Sequence, residues 1–278
     1  MIKKIIFLII AISSVSCHQV VEPVFQIDSV DIPSGHSLVT CISQKRSPEY
    51  FVLLESGLGD DHSVWQQGTL PEQLLNSCDV IMYDRGGYGK SGIDNNPRNI
   101  DRLRQELEIV VNKYSEGRKV ILIGHSLGGL IIRDYAIRNP GLTAGILFID
   151  PSHESYNQPS PSVENSIYES FFHAFGANFG GTREAKELIE GLEYISNQGN
   201  LPDVPVVVLT SMKQDAGNNE SDLVNNKSRQ DWYNAHEELK MGLSDFTHIQ
   251  TLNSGHYIMK EEANLVLSGF NLLFSKLP

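Results

Sequence analysis

The sequence predicts an α/β protein: a mostly parallel sheet with helices on both faces and a small helical lid insertion. Three observations lead there. Short apolar runs alternate with stretches of helical spacing. The runs are continuous rather than alternating, as strands buried on both faces require. Several of them end in glycine-rich turns, where a strand can hand over to a helix.

The chain begins with a segment of a different kind. Met1-Ile2-Lys3-Lys4 is a short basic start, residues 5–12 are an apolar run, and small residues 13–16 lead to Cys17. This is the three-part layout of a secretory signal, so residues 1–16 are expected to be a signal peptide. The apolar run is too short to span a bilayer. Small residues followed by Cys resemble a bacterial lipoprotein signal, which implies lipidation at Cys17. The expectation is an exported chain, anchored to a bacterial membrane through Cys17 and facing the periplasm or cell exterior. Plain secretion is the alternative.

Residues 17–35 read as a linker and residues 36–278 as one domain. Residues 36–43 alternate and suggest an edge strand. Residues 50–55 form an apolar strand that enters Ser56-Gly57-Leu58-Gly59. Residues 80–83 form another, followed by Asp84-Arg85-Gly86-Gly87-Tyr88-Gly89. Positions 103, 107, 110, 111 and 114 give residues 100–114 helical spacing. Residues 120–123 read as a buried strand, 127–138 as a helix stopping before Asn139-Pro140-Gly141, and 144–149 as the next strand. The pattern then breaks. Residues 152–203 read as a lid, with Phe171, Phe172, Phe175 and Phe179 followed by a charged helical stretch over 182–195. The sheet resumes at 204–209 and 246–252, and a final helix covers 261–274.

Composition excludes some functions. The formal charge is −12 at pH 7, which argues against nucleic acid, because phosphate binding needs clustered Lys and Arg. No cysteine or histidine pair has metal-ligand spacing, and no G-x-G-x-x-G follows the first strand. No cofactor is therefore expected. Cys41 and Cys78 read as half-buried thiols, with a disulfide between them the alternative.

The chemistry concentrates at Gly124-His125-Ser126-Leu127-Gly128. An apolar strand precedes this G-x-S-x-G run and a helix follows it. In that context the serine sits on a sharp turn, with its hydroxyl clear of the sheet. Ser126 is the expected nucleophile. The helix that starts after it offers free N–H groups to a developing anion.

Glu55-Ser56-Gly57-Leu58-Gly59, Tyr83-Asp84-Arg85-Gly86-Gly87-Tyr88-Gly89-Lys90-Ser91, the serine elbow and Ser254-Gly255-His256 occur in this order. Together they resemble the α/β-hydrolase superfamily over residues 36–278. The resemblance implies the chain order serine, acid, histidine and a lid after the strand ending at Asp150. It makes His256, in a Gly-His turn near the C-terminus, the base. The acid stays open between two family positions: Asp150 at the end of the strand before the lid, which is preferred, and Asp215 after the strand at 204–209. The N–H groups of Leu58 and Leu127 would form the oxyanion hole. Asp84 and Arg85 are expected to pin the oxyanion loop. His62, His153, His173, His236 and His248 are read as surface residues, and His125 as a packing residue.

These features imply a serine hydrolase that cleaves a carboxylic ester or related acyl bond through an acyl-enzyme at Ser126. Its partner would be a small-molecule acyl substrate. Thioesterase, peptidase and acyl-transfer chemistry share the fold. A non-catalytic, lipid-anchored binding protein on a hydrolase scaffold is the alternative of a different class. Natural substrate and oligomeric state are not specified by the sequence.

Overall fold

The computed structural model describes residues 24–43, 49–217 and 220–278, so the signal segment and Cys17 lie outside the described residues. The strands are β1 (Gln26–Ile32), β2 (His36–Ile42), β3 (Tyr50–Glu55), β4 (Asp79–Tyr83), β5 (Lys119–His125), β6 (Thr143–Ile149), β7 (Val206–Ser211) and β8 (Phe246–Thr251). They form one sheet in the order β1-β2-β4-β3-β5-β6-β7-β8. β2 pairs antiparallel with β1 and β4, and every pairing from β4 to β8 is parallel.

The helices are α1 (Leu70–Leu74), α2 (Ile100–Ser115), α3 (Leu127–Arg138), α4 (Pro161–Phe175), α5 (Gly180–Glu184), α6 (Leu188–Ser196), α7 (Glu220–Glu238), α8 (Ile258–Glu261) and α9 (Ala263–Phe274). The continuous apolar strands serve two cores at once. Phe51, Leu53, Val120, Leu122, Ile146 and Phe148 point to a core shared with α2, α3 and α6. Val52, Leu54, Ile121, Ile123, Leu147 and Ile149 point to the opposite core, built with α1 and α9. A strand with both faces covered has no position for a polar residue, which is why these runs do not alternate.

The order of the strands places the site. From β3 the chain moves outward to β4, then returns to β5 on the other side of β3. The C-terminal ends of β3 and β5 therefore flank a switch point, where the loops diverge and leave a crevice.

Two expectations need correction. The stretch read as a linker, 17–35, contains β1, which pairs with β2 along its whole length. Only Val30 and Ile32 of β1 are buried, so its composition carries little strand signal. The charged stretch at 182–195 is two helices, α5 and α6. The short α5 packs inward: Gly180, Gly181, Thr182 and Glu184 are all buried. With α4, these helices form the layer between β6 and β7.

Candidate active site

Ser126 joins β5 directly to α3 with φ 53° and ψ −122°. A side chain rarely adopts this conformation, and the flanking glycines make room for it. A Cβ on Gly128 would lie 2.4 Å from the Glu55 carbonyl oxygen, and one on Gly124 would lie 2.6 Å from Ile132. The turn is fixed from both neighbouring loops. Ser126 N–H donates to Ile149 O at 3.3 Å, and Ser152 N–H donates to Ser126 O at 3.0 Å.

Asp150 follows β6 with φ 45°, and its carboxylate is almost fully buried. His256 Nδ1 lies 2.7 Å from Asp150 Oδ2. The other oxygen, Oδ1, accepts from Ser211 N–H at 2.9 Å and from the Trp232 indole N–H at 2.8 Å. Burial opposes the carboxylate charge. The hydrogen bond and charge of His256, the charge of His236 and the Trp232 donor outweigh it and hold Asp150 below the usual aspartate range. Asp215, the alternative acid, lies exposed on the loop after β7, where its backbone bonds both ways with the Asn226 side chain.

The His256 turn is braced on three sides. Ser211 Oγ donates to Ser254 O at 2.7 Å. Glu261 accepts from Gly255 N–H at 3.1 Å, and Glu262 from Ser254 Oγ at 2.7 Å. His125 is indeed a packing residue. Its Nε2 faces His256 O at 3.0 Å, so that nitrogen carries the proton. Burial, reinforced by neighbouring His256, drives the His125 imidazole down to about 3, leaving it neutral.

The loop after β3 abuts the elbow, since a Cβ on Gly57 would sit 3.2 Å from Ser126 Cβ. Arg85 grips this loop. Its Nη1 donates to Ser56 O at 2.8 Å and its Nη2 to Gly57 O at 2.9 Å. The Gly57 carbonyl and the Leu58 N–H belong to one planar peptide and point in opposite directions. Holding the carbonyl against Arg85 therefore aims the Leu58 N–H away from it. Leu58, Ser126 and Leu127 line one cavity. Ser56 Oγ accepts from Trp65 Nε1 at 3.0 Å and donates to Asp61 O at 3.2 Å, which braces the same loop. Asp84 braces its far end, accepting from His62 N–H at 2.9 Å.

Behind the loop lies a buried charge network. Arg85 also donates to Glu55 Oε1 at 2.8 Å and to both oxygens of Glu184, at 2.9 and 3.0 Å. Tyr88 donates to Glu184 Oε2 at 2.6 Å and accepts from Gly59 N–H at 3.1 Å. Glu184 belongs to α5, so the lid and the loop after β3 share one guanidinium. Burial pushes the Glu55 carboxyl up to about 7 despite the Arg85 charge. Glu106 is held at about 2: burial opposes its charge, but hydrogen bonds from Arg98 and His36 prevail.

The cavity over Ser126 has a volume of about 580 Å³. Leu58, Ile100, Leu103, Leu127 and Leu130 line it from the sheet side, and Val163, Ile167, Leu188 and Leu192 from the lid. Asn157, Gln158 and Ser160 add polar groups, and Glu184 and Glu187 add carboxylates. Such a mixture suits an organic group of moderate size with a few polar atoms. Trp65 lies in the core shared with α1.

Among the described residues, two side-chain groups bring metal-type ligand atoms together: His36, Asp94 and Glu106, and Asp61, His62 and Asp84. In the first, Arg98, His36 and Gly86 N–H already bond the Glu106 oxygens, and Arg102 bonds Asp94. In the second, His62 bonds Asp84 Oδ1 through both its ring and its backbone. Cys41 and Cys78 are buried free thiols. Burial pushes them up to about 11 and about 12.

Sequence reasoning missed Trp232 and Glu184 and misplaced three histidines. His153 and His236 are buried, and the His248 ring is 3% exposed. His173 is exposed, as expected. The missed residues reach the site from distant elements: Trp232 meets Asp150 across 82 positions and Glu184 meets Arg85 across 99.

Among proteins of similar sequence, Bacillus subtilis YqjL, itself uncharacterised, is 24% identical over 224 residues, covering 80% of this chain and 83% of that protein. Protein phosphatase methylesterase 1 of Candida albicans is 24% identical over 138 residues, covering 48% of this chain but only 38% of the relative. Among solved structures, a thermophilic esterase from Thermogutta terrifontis superposes with a TM-score of 0.64 at 16% identity, covering 91% of this chain and all of that one. The epoxide hydrolase CorEH superposes with a TM-score of 0.67 at 15% identity, covering 90% and 99%. The model of the alpha/beta hydrolase fold family matches residues 50–269, and the chain belongs to that family.

Proposed function

We propose that the protein is a serine hydrolase that cleaves a carboxylic ester or related acyl bond through an acyl-enzyme at Ser126. The observation that carries this reading is the Asp150–His256 hydrogen bond of 2.7 Å beside the positive-φ serine elbow. Asp150 holds one imidazole nitrogen protonated, which leaves His256 Nε2 free to take the serine proton. The Ser126 oxygen attacks the acyl carbonyl, and the Leu58 and Leu127 N–H groups stabilise the oxyanion. His256 then protonates the leaving group. Water, deprotonated by the same imidazole, releases the acid and regenerates Ser126.

The esterase and methylesterase among the similar proteins support ester chemistry, and a serine elbow suits an acyl-enzyme. The largely apolar cavity favours an acyl group of moderate length over a small polar one. The lipoprotein-like signal supports an activity outside the cytoplasm, tethered through Cys17. Hydrolysis of p-nitrophenyl esters of increasing chain length tests the reading. A burst of nitrophenol equal to the enzyme concentration, largest for medium chains, is expected. A folded protein that turns over no ester in the series would favour the binding-protein reading.

A further inference from the structure

Behind the Asp150 turn lies a chain of polar side chains, buried except for Glu237 at its outer end, that the chemistry above does not use. His236, on α7, places Nε2 2.7 Å from the Pro151 carbonyl oxygen. Its Nδ1 lies 2.5 Å from Thr210 Oγ1 on β7. The same hydroxyl lies 2.6 Å from His248 Nε2 on β8. His248 Nδ1 lies 2.5 Å from Glu237 Oε1. The His236 ring also packs on Trp232, centroids 4.3 Å apart, and Trp232 donates to Asp150. One helix turn thus touches both the acid and the residue after it.

The turn needs this support. Asp150 has a positive φ and precedes a proline, whose ring biases the residue before it toward extended backbone. Such a conformation persists only where its surroundings over-determine it.

Counting hydrogens gives the chain a second property. A carbonyl oxygen only accepts, so His236 Nε2 must carry a proton. Each of the remaining three contacts also needs one hydrogen. Thr210 supplies one and a neutral His248 supplies one. With Glu237 ionised and both imidazoles neutral, the chain is one hydrogen short, and two lone pairs face each other. One added proton closes it, on His248, on His236 or on Glu237. Every closed arrangement has zero net charge over these three groups.

We propose that His236 is a positioning residue for Asp150, acting through a chain to Thr210, His248 and the partly exposed Glu237 that is complete only when it holds one added proton. The inference rests on Asp150 being the triad acid. The charged and titratable groups around the chain are Asp150 beyond β6, His153 in the following loop, and Glu237 and Lys240 at and after the end of α7. Tyr233 stacks on His248 with centroids 4.1 Å apart. Burial opposes a charge on either imidazole, so the chain closes on the acid side of neutrality.

The test compares the full chain with His236→Leu, His236→Gln and Thr210→Val in two readouts. In ester hydrolysis, His236→Leu is expected to lower kcat by about tenfold to a hundredfold while KM stays within about twofold. His236→Gln, whose amide can replace the Nε2 donor, recovers most of the loss. An unchanged kcat in folded His236→Leu overturns the proposal. Nitrogen NMR of labelled histidines reads ring protonation without any substrate. Between about pH 8 and 4, either His236 or His248 is expected to become an imidazolium, or His248 to switch to the Nε2–H tautomer, and Thr210→Val to shift or abolish that transition. A His236 that stays neutral beside a His248 that stays neutral and Nδ1-protonated throughout overturns it, as does a Thr210→Val protein that titrates like wild type. Because this readout needs no turnover, failure of the hydrolase reading itself would appear separately, as wild type that shows no ester turnover.

Discussion

On the oxyanion side, a guanidinium that cannot lose its proton grips the carbonyls of Ser56 and Gly57. On the acid side, Asp150 is held by an indole, a backbone N–H and, one turn along α7, an imidazole that grips Pro151. Both networks are buried, and both draw on elements far away in the chain. The oxyanion network carries permanent charge and ties the lid to the loop through Glu184. The acid network is built from titratable rings and ties β7, β8 and α7 to the turn. The two halves of the site should therefore respond differently to substitution and to pH.

The largest effects fall on the groups placed at the chemistry. Ser126→Ala is expected to lower kcat about ten-thousand-fold or more with the melting temperature nearly unchanged, read by ester hydrolysis and thermal melting. Asp150→Asn should cost about a thousandfold or more, because the amide no longer fixes the imidazole tautomer. Asp215→Asn should change kcat by less than about twofold. A reversed ranking of the two aspartates would move the acid to the loop after β7.

Arg85→Lys comes next and probes the oxyanion side alone. A single ammonium cannot bridge two carbonyls and two carboxylates, so the Leu58 N–H loses its fixed direction. We expect kcat to fall about a hundredfold. Stability should also drop by about 3–5 kcal/mol, since Glu55 and Glu184 are left underpaired in the core. Chemical denaturation measures the second quantity. A variant that keeps full kcat would show that Arg85 serves the fold and not the loop.

The smallest effect is on stability against pH. Glu106 is held at about 2, well under its ordinary value of 4.5. Its contribution is complete above that ordinary value and fades as pH falls toward 2. Asp150, also held low, acts in the same direction. Glu55 is pushed the other way, to about 7. The folded state prefers its protonated form, so stability rises as pH falls through 7 and is lower above it. Glu187, raised to about 7 by burial and by Glu190 and Glu164, adds to this. Melting temperature should therefore peak near about pH 4.5 and fall as pH rises toward 7, and Glu55→Gln should flatten that descending limb. A limb unchanged by that substitution would remove Glu55 as its source.

The same contrast explains what could be read from the sequence. β3, β5 and β6 were legible because strands covered on both faces leave long apolar runs. The serine elbow was legible because its glycines are demanded by local backbone contacts. Asp150 and His256 could be proposed from the sequence because Asp150 directly follows β6, His256 lies in the turn after β8, and both match family positions. β1 was not, because just two of its residues are buried and its pairing with β2 does the rest. α7 reads as a polar surface helix, so nothing local marks Trp232 or His236 as facing the acid. Glu184 is one of several acids in a charged stretch, and only the fold selects it as the partner of Arg85. Residues proposed to react left local signals, whereas those proposed to position them are chosen by tertiary contacts.

Outside the described residues, the anchor can be tested separately. Cys17→Ser should move the protein from the membrane to the soluble fraction after export. Unchanged partitioning would end the lipoprotein proposal.

The central claim is that Ser126 is an activated nucleophile. Covalent labelling with a fluorophosphonate probe, followed by intact mass and peptide mapping, tests it most directly. One label per chain on Ser126, lost in Ser126→Ala and slowed strongly in Asp150→Asn, is the predicted result. A folded wild-type protein that takes no label, or takes it at another residue, would contradict the account.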